Sequence, residues 1–136
     1  MAPLIAGNSR QRQSQAREGF IVITLTLPYP PSANRLWTRA KKGMRRSDEY
    51  LAWLDEAGWA AKSQRVGGIR GPYKISIQAA RPDKRQRDLD NILKPTSDLL
   101  QHVGIIENDH MCEMLVARWV TSGEGVTVII EPAGVE

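Results

Sequence analysis

The sequence predicts a mixed α/β (α+β) single domain in the order β-α-β-α-β-β, with a mixed sheet and two helices. Three observations predict it. Period-two alternation of apolar residues marks strands, two other segments repeat their apolar residues at helical spacing, and 136 residues suit one core better than two. A chain of this length buries roughly two thirds of the surface it would expose unfolded.

The elements follow in order. Residues 6–19 are polar and aperiodic, with Arg10, Arg12 and Arg17 scattered through them, and residues 1–19 are expected to form a flexible basic arm ahead of a folded domain over 20–136. FIVITLTLP, from Phe20, is rich in β-branched residues and stops at Pro28, where TLPYPPSAN cannot sustain a ladder of backbone donors. After a loop, Ser47 is placed to cap a helix whose first turn holds Asp48 and Glu49. Tyr50, Trp53, Leu54, Ala57 and Ala61 form its apolar stripe, and Gly67 and Gly68 are expected to close it. YKISIQAA sets Tyr73, Ile75, Ile77 and Ala79 against Lys74, Ser76 and Gln78, a strand with one drier face. A second helix is expected from about Asn91 to Val103, with Ile92, Leu99, Leu100 and Val103 inward and Gly104 as its stop. Pro95 must then lie in the first turn, or the helix starts late or bends. MCEMLVARWV and VTVIIE read as two strands joined in a hairpin across TSGEG.

Nineteen Lys and Arg against fifteen Asp and Glu give a formal charge of +4, which suggests a polyanionic partner, nucleic acid first. One cysteine, Cys112, excludes an intrachain disulfide and a zinc site built from cysteines, and fits a reducing, cytoplasmic setting. No segment reaches the roughly 18 apolar residues of a membrane span, so a soluble protein without membrane contact is expected. TRAKKGMRRSDE gathers Arg39, Lys41, Lys42, Arg45 and Arg46 ahead of the first helix. Such a run either grips phosphates or is a solvated loop. Trp37 beside it is read first as a packing residue, with stacking on an exposed base as the alternative. Trp53, Trp59, Met111, Met114 and Trp119 are assigned to the core or to a dimer interface. His102 is expected to interact with the end of its helix, and His110 to be an exposed bystander.

The chemistry concentrates in RPDKRQRDLDNILKPTSD, residues 81–98, where Arg81, Lys84, Arg85 and Arg87 run into Asp88 and Asp90 at the start of the helical pattern. Two acids two residues apart project to one side of an extended segment. Asp109, in IIENDH, is within reach: a helix of about 12 residues rises roughly 18 Å, and five extended residues return roughly 16 Å. Converging carboxylates repel unless a proton or cation intervenes, and magnesium, which takes oxygen ligands and a substrate phosphate, suits such a site, with manganese a possible substitute. Lys94, four residues after Asp90, is expected to share its helix face and to hold that carboxylate or stabilise phosphoryl charge. The basic run would offset the acids and dock a polyanion. On spacing alone the plainer reading comes first: Asp90 caps the helix, the charges are solvated, and Asp90 and Lys94 form a surface pair.

The stretch RPDKRQRDLDNILKPTSDLLQHVGIIENDH resembles the core signature of the RusA family of Holliday junction resolvases, bacterial and prophage endonucleases, and LPYPPSANRLW resembles the family's N-terminal segment. The resemblance runs from about Thr26 to Trp119. It implies a RusA-like fold and a magnesium-dependent crossover junction endodeoxyribonuclease that acts as a homodimer, without a small-molecule cofactor. It implies metal-binding acids at Asp88, Asp90 and Asp109, a catalytic lysine at Lys94, and supporting roles for Asn91 and Asp98. Two departures stand out. Asn108 occupies a place where relatives often carry a second consecutive Asp, and Pro95 follows the lysine directly. Both keep open a non-catalytic DNA-binding module; a less selective branched-DNA nuclease is the other alternative.

Overall fold

The computed structural model describes residues 21–134, so the expected N-terminal arm lies outside the described residues. Six strands and two α-helices follow in order: β1 (Ile23–Leu27), β2 (Trp37–Arg39), β3 (Met44–Arg46), α1 (Asp48–Ser63), β4 (Tyr73–Ala80), α2 (Leu93–His102), β5 (Cys112–Val120) and β6 (Val126–Pro132). Short 3-10 turns occupy Ala33–Arg35, Leu89–Ile92 and Asp109–Met111. The mixed α/β architecture is as expected, with one addition: the basic segment before α1 is a small antiparallel hairpin, β2–β3, outside the main sheet.

The main sheet has the order β1-β6-β4-β5, with β4 antiparallel to β6 and parallel to β5. Its registers build rows that explain the core. Leu25, Val128, Ile77 and Ala117 stand in one row across four strands, and Ile23, Ile130, Ile75 and Leu115 in the next. Every member of these rows on β1, β6 and β4 is buried. Tyr50, Trp53, Leu54, Ala57 and Ala61 of α1 and Leu99 and Leu100 of α2 join the same core, which is the apolar stripe that the helical spacing required.

The expected hairpin between the last two strands does not form. β4 lies between them, and the chain after β5 crosses the end of β4, where the Ala80 N–H donates to the Gly125 carbonyl at 3.0 Å. The physical reason is the helical crossover. A strand that follows another through a helix pairs parallel to it, so β5 takes one side of β4 and β6 fills the other. Gly125 permits the crossing: its φ is 69°, and a Cβ there would run into the Leu27 carbonyl oxygen.

The helix ends differ in instructive ways. The Ser47 hydroxyl accepts from the Tyr50 N–H at 3.0 Å and donates to the Arg35 carbonyl at 2.6 Å, tying the start of α1 to the base of the hairpin. Ser47→Ala should therefore cost about 1 kcal/mol, measured as a lower urea midpoint at unchanged slope. α1 ends at Ser63, before Gly67, and Arg65 takes the left-handed position at φ 54°. Pro95 is the third residue of α2, inside a first turn whose N–H groups have no helical partner, so it neither breaks nor delays the helix. Gly104, at φ 81°, follows its end.

Candidate active site

Past the bends that follow β4, Asp88 has an extended backbone at the capping position, and Asp90 lies in the following 3-10 turn. The two acids are therefore not alternate residues of one strand, although they remain neighbours at one helix start. Asp88 occupies the capping position yet makes no capping hydrogen bond. Neither carboxylate has a hydrogen-bond or ion-pair partner among the described residues, and both are exposed. That removes the plain reading in which Asp90 serves as a helix cap or pairs with Lys94.

Lys94 turns elsewhere. Its Nζ lies 3.1 Å from Asp98 Oδ1 and 3.3 Å from Asp109 Oδ2. Asp98 is nearly covered, at 11 % side-chain exposure, and its other oxygen accepts from the Tyr50 hydroxyl of α1. Hydrogen bonding to Asp98, ahead of the pull from Asp109, raises the Lys94 pKa above its ordinary value, so this amine is a cation at neutral pH and no general base. Burial and then the Asp98 hydrogen bond raise the Tyr50 pKa strongly, which keeps its hydroxyl a donor.

Asp109 is brought to α2 by its own loop. Its N–H donates to Gln101 Oε1 at 3.1 Å, and Asn108 Oδ1 caps the next turn by accepting from the His110 N–H at 3.1 Å. Asn108 thus has a local structural task. Cys112, next along, has its thiol pKa raised, chiefly by burial, and it is not an activated nucleophile. Among the described residues no three His, Cys, Asp or Glu side chains stand close enough together to hold a metal ion. The donor chemistry nevertheless suits a hard cation: Asp88 and Asp90 offer unengaged carboxylate oxygens, and Asp109 engages only an exposed ammonium.

The basic run is more ordered than its composition suggests. An open cleft of about 640 Å³ is lined by Tyr29, Asn34, Arg81, Arg87, Asp88 and Asn91, among others. Arg81 stacks over Trp119 at 4.4 Å and Arg87 over Tyr29 at 5.6 Å, and the two rings are themselves stacked at 6.5 Å. Asp83 binds both Arg85, at 3.1 Å, and Arg87, at 2.7 Å. Arg87, above all, holds the Asp83 carboxyl well below the usual carboxylate range. Sequence reasoning missed Tyr29, Tyr50, Asp83 and Gln101. Asp83 alone had a local signal, standing two and four residues before the arginines it binds. Lys41, Lys42 and Arg45 are exposed on or beside the hairpin, Lys84 is exposed, and Arg46 covers the Tyr50 ring at 5.5 Å.

The family model for Endodeoxyribonuclease RusA matches residues 28–131, which include both 3-10 turns that carry the acids. The chain belongs to the RusA family. It is 32 % identical over 116 residues to the crossover junction endodeoxyribonuclease RusA of Escherichia coli K12, covering 83 % of this chain and 97 % of that protein. The RusA protein of Enterobacteria phage 82 is 32 % identical over 115 residues, 82 % of this chain and 96 % of its own length. That of Shigella sonnei shows the same identity over 116 residues. Membership in the RusA family supports nuclease action on DNA for the chain in general, and no helix among the described residues is long and apolar enough to cross a membrane.

Proposed function

We propose that this RusA family chain is a magnesium-dependent endodeoxyribonuclease that resolves four-way DNA junctions by paired nicks and acts as a homodimer. One observation carries the reading: an unengaged carboxylate, Asp88, lines a cleft whose arginines are held by aromatic rings, Asp90 follows two residues on in the adjoining turn, and Lys94 stands as a fixed cation against Asp109. The arginines Arg81 and Arg87 dock the phosphodiester, with Lys84 and Arg85 at the rim, and Lys41, Lys42, Arg45 and Arg46 grip the backbone further out. Asp88, Asp90 and Asp109, which stand too far apart here to form a ready three-carboxylate cluster, would have to draw together to hold the cation, which would supply charge stabilisation at the phosphoryl group and an acidified water. Lys94 donates to a phosphoryl or leaving oxygen. Asp98 orients Lys94, and Asn91 lines the cleft beside Asp88.

A second copy of the chain fits the outer edge of β5. That edge has no strand partner among the described residues, and Met114, Leu115 and Val116 are exposed along it. Antiparallel pairing about a two-fold axis through Leu115 sets Met114 against the partner's Val116. It also brings the Glu113 end of one strand to the Arg118 end of the other, whereas parallel pairing would align like charges. A four-way junction has approximate two-fold symmetry, so such a dimer offers one site to each of two opposing strands.

The test is cleavage of an end-labelled four-way junction titrated with magnesium, alongside the molar mass in solution. Paired nicks that need magnesium or manganese, and a mass near twice 15.2 kDa, are expected. Binding without nicks at every metal concentration gives the non-catalytic DNA-binding module. Equal cutting of flaps, forks and junctions gives the less selective nuclease.

A further inference from the structure

The β2–β3 hairpin grows from the rim of the cleft: the Ala33–Arg35 turn at its base packs on the Leu89–Ile92 turn that carries Asp90. Its register pairs Trp37 with Arg46 and Arg39 with Met44, so these four side chains share one face. Trp37 is 47 % exposed and Met44 61 % exposed. Packing does not account for either.

The other tryptophans sharpen the point. Trp53 is buried and donates to the Pro28 carbonyl, and Trp119 is covered by Arg81 and Tyr29. Trp59 is more exposed than Trp37 and has the Lys62 ammonium 6.0 Å from its ring centre, but it shares α1 with Asp55 and Glu56, and carboxylates repel a polyanion. Trp37 instead shares its face of the hairpin with Arg39 and Arg46, with Lys41 and Lys42 in the connecting turn, while Arg45, on the opposite face, is bound to Asp48 at 3.2 Å. An aromatic face flanked by cations has the chemistry of a single-strand DNA site, in which the ring takes a base and the cations take the flanking phosphates.

We propose that the Trp37–Met44 face of the hairpin binds an unstacked nucleobase of a DNA strand, Trp37 stacking on the base and Met44 filling the space beside it. This rests on the branched-DNA reading of the cleft and adds the element that tells a branch from a duplex. A continuous duplex buries both faces of every base pair and offers Trp37 nothing. A branch point leaves base faces open, and the hairpin is rooted beside the acids that would cut near it.

The test compares the full chain with Trp37→Ala and Trp37→Phe. Each is titrated in calcium, to prevent nicking, against a four-way junction carrying 2-aminopurine at the branch, a duplex of equal length, and a single strand carrying the same probe. Wild type should quench the branch-point probe. Trp37→Ala should lose that quenching and roughly 5- to 150-fold of junction affinity, with duplex affinity unchanged, and Trp37→Phe should recover most of both. Retention of the junction-to-duplex ratio and of the quenching by Trp37→Ala overturns the proposal. So does an equal loss on junction and duplex, or a loss that Trp37→Phe does not recover. Wild type that prefers no junction, yet quenches the single-strand probe through Trp37, overturns the junction reading and leaves the base site standing.

Discussion

Asp90→Asn is expected to bind a four-way junction as well as wild type or better, and to cut it at least about 100-fold more slowly. The substitution keeps the shape of the side chain and removes one negative charge from an exposed position that engages no partner among the described residues. With no ion pair or cap to lose, the fold should change by under about 0.5 kcal/mol, so lost cutting would not reflect lost structure. Binding should not weaken, because the substitution lowers the repulsion between the cleft and the phosphates that Arg81 and Arg87 are placed to hold. Native gels for binding and denaturing gels for nicks, on the same labelled junction with magnesium, measure the two effects separately. Cutting at the wild-type rate would show that Asp90 has no part in the chemistry. Asp88→Asn should behave alike, since Asp88 shares both the exposure and the lack of a partner.

The sequence made the main strands and both helices legible because a buried face imposes a period. Ile75, Ile77 and Ala79 alternate for the same reason that Val126, Val128 and Ile130 do: all face the helices. The β2–β3 hairpin buries no such face. Its strands have three residues each, and Arg39, Lys41, Lys42, Arg45 and Arg46 hide any alternation. The misplaced β5–β6 hairpin has a different origin. Strand neighbours are set by the crossover through α2, and nothing within TSGEG records that β4 stands between the two strands. Within the site, Lys94 had acids four residues away on both sides, Asp90 and Asp98. The 3-10 turn decides between them: with about three residues per turn it rotates Asp90 off the α-helical face, whereas Asp98 keeps α-helical alignment with Lys94. The Tyr50 hydroxyl on Asp98 is a contact between two helices 48 residues apart, which no local pattern encodes.

Lys94→Ala is expected to slow junction cutting by roughly 100- to 1,000-fold, the loss seen when one preset donor to a developing oxyanion is removed. Stability should barely change, because the amine is 56 % exposed and exposed ion pairs contribute about 0–1 kcal/mol. Lys94→Arg should recover part of the rate, since it restores the charge without the compact ammonium that fits between Asp98 and Asp109. The pH dependence separates this role from general-base catalysis. Asp98 and Asp109 raise the Lys94 pKa above the ordinary lysine value of 10.5, so the group stays charged across the neutral range and a rise in rate between pH 6 and 9 cannot come from its deprotonation. Linkage has the matching sign. A raised folded-state pKa gives a contribution to stability that is complete below the unfolded-state value, about 10.4, and is lost as pH climbs through the folded-state one. Wild type and Lys94→Ala should therefore differ in urea midpoint, if at all, at neutral pH, and converge only in strong alkali. Rate profiles of the two proteins that keep the same shape at neutral pH, offset by a constant factor, would support a fixed cation; a rising limb present in wild type and missing in Lys94→Ala would assign the lysine to proton transfer instead.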